Sequence, residues 1–140
     1  MRSFPLRIVT PDGLQFDGPA EELLVRTTTG DMGILAGHVN CVAPLGMGRA
    51  VVVTQEGRRE AACIGGILSV LNGKVDLVPT TFEWADTIDL KRAVKAEQHA
   101  RRILENQEAG RVDRSIAEAR LKRAMVRRSV AERAKTSPKG

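Results

Sequence analysis

The chain has 140 residues, 42% of them hydrophobic, with three Phe, one Trp and no Tyr; this predicts one domain, or a small domain with an appendage, on an aliphatic core. No apolar run approaches the ~20 residues of a membrane span, and the opening MRSFPLRIV lacks the long apolar region and cleavage site of a signal peptide, so a chain kept in the cytosol is expected. The net charge of +5 is uneven: residues 1–85 hold 7 basic against 9 acidic side chains, residues 86–140 hold 15 against 8, which suggests two modules with different tasks.

The first module reads as strands. PLRIVT meets PDG, and Asp12-Gly13 is a hairpin signal because glycine accepts the positive φ of a tight turn. EELLVRTTTG adds a β-branched run, and GRAVVVTQEGRREAACIGG folds back at Glu56-Gly57. GILSVLNGKVDLVP is the clearest hairpin, with Asn72-Gly73 between two alternating runs. Short strands at close spacing predict an antiparallel sandwich or barrel.

From Thr80 to Arg133 there is no proline and one glycine, Gly110. Asp86 or Thr87 can cap a helix there. Leu90, Ala93, Val94, Ala96, Ala100, Ile103 and Leu104 recur at helical spacing, and NQEAG ends the run with Gly110 suited to a left-handed cap. A second stripe runs through Val112, Ile116, Ala119, Met125, Val126 and Val130. Glu97–Arg101 and Glu118–Lys122 are favourable pairs four apart. Alanines bury little area, so the helices should be held more weakly than the sandwich and be able to undock or extend. The terminal TSPKG is expected to fray.

GDMGILAGH, from Gly30 to His38, invites three readings: phosphate cradle, metal site or turn. A P-loop needs Lys and Ser/Thr after its second glycine, and here His38 and Val39 follow Gly37. The only histidines, His38 and His99, have no ligand cluster around them, so no metal is expected. A glycine-rich turn with a surface histidine is the plain reading. Cys41 and Cys63 form no CxxC and read as two reduced, buried, small side chains. No histidine has a nucleophile nearby in sequence, so catalysis by this chain is not expected. The basic helices admit a free nucleic-acid-binding module as an alternative; missing aromatic platforms and interleaved acids favour an acidic protein partner instead.

Taken in order, LRIVTPDG, GDMGILAGH, GGILSV with NGKVDLV, IDLKRA and LKRAMVRRSVAE resemble the epsilon subunit of the bacterial F-type ATP synthase, the counterpart of the mitochondrial delta subunit. The resemblance runs from Leu6 to Lys135. It implies an α+β chain: a ten-stranded antiparallel β-sandwich (1–85) that joins the rotor stalk, then a two-helix antiparallel hairpin (86–140) that regulates. It implies a non-catalytic subunit that joins gamma to the ring of c subunits at the cytoplasmic face of the cell membrane, touching the membrane only through the complex and binding no nucleic acid.

The resemblance further implies ring contacts through Asp31 and His38, Asp31 being shorter than the family's usual acid. An extended hairpin would meet an acidic loop of the beta subunit, in the alpha/beta hexamer, through Arg123, Arg127 and Arg128, and restrain ATP hydrolysis. IDLKRA fits the family's ATP-binding pattern, which implies Glu83, Asp89, Arg92, Arg123 and Arg127 as contacts for a regulatory ATP. No cofactor is required. His99 and Ile116 stand where strong binders have arginines, which implies weak affinity.

Overall fold

The structure, a computed structural model, describes residues 2–136. It divides into two compact units, one ending at Trp84 and the other starting at Ala85.

The first unit holds β1 (Phe4–Thr10), β2 (Gly13–Ala20), β3 (Glu22–Thr27), β4 (Gly30–Ile34), β5 (Cys41–Pro44), β6 (Met47–Thr54), β7 (Gly57–Ile64), β8 (Ile67–Leu71), β9 (Lys74–Val78) and β10 (Thr81–Trp84). They form two five-stranded sheets, ordered β2-β1-β9-β8-β5 and β10-β7-β6-β3-β4. The expected hairpins stand where glycine permits them, with Gly13, Gly57 and Gly73 at positive φ and Asn72 at φ 51. One pairing departs from the antiparallel expectation: β1 runs parallel to β9, Leu6 opposite Val75. Turn residues announce antiparallel neighbours, whereas strands this far apart in the chain meet with no turn between them.

Alternation aims Phe4, Leu6, Ile8, Leu23, Val25, Leu68, Val70, Val75 and Leu77 into one core between the sheets. Cys63 joins that core, and burial pushes its thiol up to about 12. Cys41 is only partly buried, contrary to expectation, because it opens a short edge strand. The chain changes sheets at Leu45–Gly46, Gly65–Gly66 and Pro79–Thr80, and these corners bond to one another. Leu45 N donates to Gly66 O at 2.9 Å, Gly65 N to Gly46 O at 3.0 Å and Thr80 N to Gly65 O at 3.3 Å.

The second unit opens with a 3-10 turn at Ala85–Thr87, then α1 (Leu90–Glu105) and α2 (Arg111–Thr136). Neither Asp86 nor Thr87 caps α1. Asp89 does, its carboxylate accepting from Arg92 N at 3.1 Å, because the 3-10 turn occupies the two earlier positions. Gly110 is not in the left-handed region, and α1 ends at an extended Asn106. Gly110 instead opens α2, its carbonyl accepting from Arg114 N at 3.0 Å. Arg114 closes the turn: its guanidinium donates to Leu104 O at 3.0 Å and Asn106 O at 2.8 Å, two carbonyls at the end of α1.

The helices pack through small residues. Ala93, Glu97 and Ala100 are buried on α1, and Ala117, Ala124, Val130 and Ala131 on α2. Val112, Ile116 and Met125, expected in the buried stripe, are exposed. The buried seam of α2 follows small side chains at spacings of seven, which let two helix axes approach. A hydropathy count favours the larger neighbours.

Candidate interaction surfaces

GDMGILAGH is a strand and a turn. Gly30–Ile34 is the edge strand β4, with Met32 and Ile34 turned inward and Asp31 outward. The next four residues make a β-turn: His38 N donates to Leu35 O at 3.2 Å, and Gly37 at φ +86 holds the third position of a type II turn. The His38 ring lies 2.8 Å from Val39 O through Nδ1. Asp31 lies opposite Arg26 on β3, 3.3 Å from its guanidinium, with both side chains more than half exposed. Asp31 and His38 are not brought together; three strand residues, about 10 Å, separate Asp31 from the turn.

Beyond His38 the surface is apolar. Leu35, Val39, Val42 and Leu71 are 60%, 73%, 72% and 59% exposed. They are held in place, because Asn72 N donates to Asn40 Oδ1 at 2.8 Å and ties this loop to the β8–β9 turn. Leu35 and Val39 lie on this pinned loop, Val42 on β5 and Leu71 at the end of β8, and exposed aliphatic side chains of this kind mark a protein contact. Sequence reading missed them because alternation identifies the inward set and leaves outward valines and leucines unexplained.

In the helical unit Glu97 is the centre. It is 7% exposed, accepting from Arg101 Nη2 at 3.0 Å on its own helix and from Arg128 Nη1 at 2.8 Å across the hairpin. Arg128 Nε also donates to Glu132 at 2.8 Å. Hydrogen bonds from Arg128 and then Arg101 hold the Glu97 carboxyl below its ordinary 4.5, outweighing its burial. Glu132 and Glu97 push the Arg128 guanidinium further up. The i,i+4 spacing revealed Arg101 in advance; the contact with Arg128, 31 residues away, required the helix register.

That register also sorts the expected ATP contacts. Glu97 lies against Arg128 and Arg101 against Met125, where Nη2 is 3.9 Å from Sδ. Arg92 is therefore level with residues beyond Arg128, about 15 Å along the axis from Arg123. Arg123 is exposed and Arg127 half-buried, one turn apart on α2. Asp89 caps α1, while Glu83 sits on β10 in the sandwich unit.

Two family profiles match end to end. Residues 3–85 match the ATP synthase delta/epsilon chain β-sandwich domain, and residues 86–132 match the long α-helix domain. The chain belongs to the ATP synthase delta/epsilon family. An ATP synthase epsilon chain of Ruminococcus albus is 37% identical over 134 residues, 95% of this chain and 99% of that one. A chain in the Euglena gracilis mitochondrial ATP synthase, in a structure of OSCP, F1 and c-ring, shares 25% identity with a TM-score of 0.79, over 96% of this chain and 82% of that one. A chain of the Tetrahymena thermophila mitochondrial ATP synthase central stalk and c-ring shares the fold, with a TM-score of 0.60 at 12% identity over 93% and 97%. Family membership makes the chain an ATP synthase epsilon-type chain. Among the described residues no helix is long and apolar enough to cross a membrane.

Proposed function

We propose that this chain joins the gamma subunit to the c ring through its sandwich, and that its hairpin restrains ATP hydrolysis by the alpha/beta hexamer. It carries no chemistry of its own; proton flow turns the ring, and the stalk passes torque to the catalytic subunits. In this reading the complex holds it at the cytoplasmic face of the bacterial membrane. The pinned apolar surface of Leu35, Val39, Val42 and Leu71 carries the reading, since a stalk subunit needs a preformed face to grip a partner. Gamma occupies that face, and Asp31 and His38 meet the polar loops of the ring. Arg123, Arg127 and Arg128 meet an acidic loop of the beta subunit when the hairpin extends.

The test is copurification with gamma. Val39→Asp with Val42→Asp changes two exposed side chains, so the fold persists while the apolar face is lost. Loss of gamma binding with an unchanged melting temperature is expected. Undiminished binding would overturn the assignment of this face.

A regulatory ATP belongs to the same reading. Arg123 and Arg127, four apart on α2, offer neighbouring cations to phosphates. A nucleotide that also reached Arg92 would lie lengthwise along the hairpin. Calorimetry of the full chain with ATP checks this: saturable heat at millimolar ATP supports it, and a flat trace dismisses it.

A further inference from the structure

Glu97 is the one charged side chain among the described residues that is buried. Nothing in the packing asks for a carboxylate there, between Ala93 and Ala100 on a seam of alanines. An apolar residue of similar volume commonly serves such a position equally well or better. What the carboxylate does is engage Arg128. Of the ion pairs around it, Glu97–Arg101 and Arg128–Glu132 each lie within one helix and survive separation of the helices. Glu97–Arg128 spans the two. In the closed hairpin Nη1 of Arg128 is spent on Glu97 and Nε on Glu132, so an outside carboxylate cannot take the guanidinium edge-on without displacing one of them. Arg123, exposed on α2, has no such restriction from Glu97.

We propose that Glu97 is a built-in competitor for the acidic protein partner of Arg128, so that closing the hairpin and binding that partner through Arg128 exclude each other. The inference rests on the reading that the α2 arginines meet an acidic loop of the beta subunit. Opening the hairpin releases Arg128 from its cross-helix partner while Glu97 keeps Arg101. The seam itself is alanine-rich and contributes little burial, so this one contact weighs heavily in the balance between closed and open. Removing the Glu97 charge therefore favours opening and strengthens the grip on the partner. Removing Arg128 also favours opening but takes away part of the grip.

The experiment uses the full chain, alone and reconstituted into the ATP synthase complex, with Glu97→Gln, Arg128→Ala, the double variant, and Arg123→Ala with Arg127→Ala. In the free chain, Glu97→Gln is expected to speed amide exchange along the α1–α2 seam about tenfold, the loss of one charge-assisted hydrogen bond, with exchange in the sandwich strands unchanged. In the complex, Glu97→Gln is expected to deepen inhibition of ATP hydrolysis severalfold, and the deepening vanishes when Arg128→Ala is added. If Arg123→Ala with Arg127→Ala relieves inhibition while Glu97→Gln leaves both exchange and inhibition unchanged, the competition is overturned and the partner reading stands. Should the paired arginine variant leave hydrolysis untouched, the partner reading fails, and the competition with it.

Discussion

Replacing Gly66 by alanine should unfold the sandwich far more readily than any other single methyl in its turns. Gly66 sits at φ +93, where an L side chain is strained by about 1–2 kcal/mol. A Cβ there would also collide with the Val78 carbonyl oxygen and lie 2.6 Å from Pro79 Cα. Both are backbone atoms, fixed by the neighbouring sheet-crossing corner and its bonds through Gly65 and Leu45. Gly73, at φ +82 with nothing within 4 Å of its Cβ, isolates the strain without the collision.

Gly73→Ala should cost about 1–2 kcal/mol, and Gly66→Ala at least about 3 kcal/mol, since the corner must shift to admit the methyl. For a domain of this size each kcal/mol lowers the melting temperature by about 4–8 °C. The fluorescence of Trp84 reads the transition, because this sole tryptophan packs edge-on at 4.8 Å from Phe82 in the core. Equal melting temperatures for the two variants would refute the claim that the stacked corners are rigid.

Four further outcomes are expected. The Glu97 carboxyl lies below 4.5 in the folded chain, so it contributes stability that is complete above its unfolded pKa and is lost as pH falls through the folded one. Amide protection in α1, taken relative to the intrinsic exchange rate at each pH, should therefore fall on acidification below 4.5, and Glu97→Gln should remove that fall. Asp31→Ala with His38→Ala should change sandwich stability by less than about 1 kcal/mol, because the Arg26–Asp31 pair is largely exposed. The same pair of changes should lower proton-driven ATP synthesis in reconstituted vesicles; unimpaired synthesis would count against the ring contact. Leu68→Ala, at a fully buried core position, should cost about 2–5 kcal/mol in urea unfolding of the sandwich while leaving α1 exchange rates as they are.

Much of the sandwich was legible because its hairpins are short and their turns chemically explicit. Asn72-Gly73 fixes both residues at positive φ, and the alternation on either side then follows. The parallel β1–β9 pairing was not legible, since no local residue encodes it. In the helices the sequence misleads where size and burial part company. Val112 and Ile116 look like core and lie outside it, whereas Ala117 and Ala124 are buried because a close seam needs small side chains. Glu97 reads as a surface partner of Arg101, and only the antiparallel register brings it to Arg128. The apolar face around Val39 and Val42 was hidden for a different reason. Outward aliphatic residues have meaning only against a partner, and alternation within one chain encodes none.

The most direct test is reconstitution of the complex with the full chain and with a chain lacking residues 86–140, followed by gamma binding and ATP hydrolysis. A self-sufficient sandwich and a regulatory hairpin predict that the shortened chain still binds gamma and that hydrolysis rises. A shortened chain that no longer binds gamma, or one that binds and leaves hydrolysis unchanged, would contradict that division of labour.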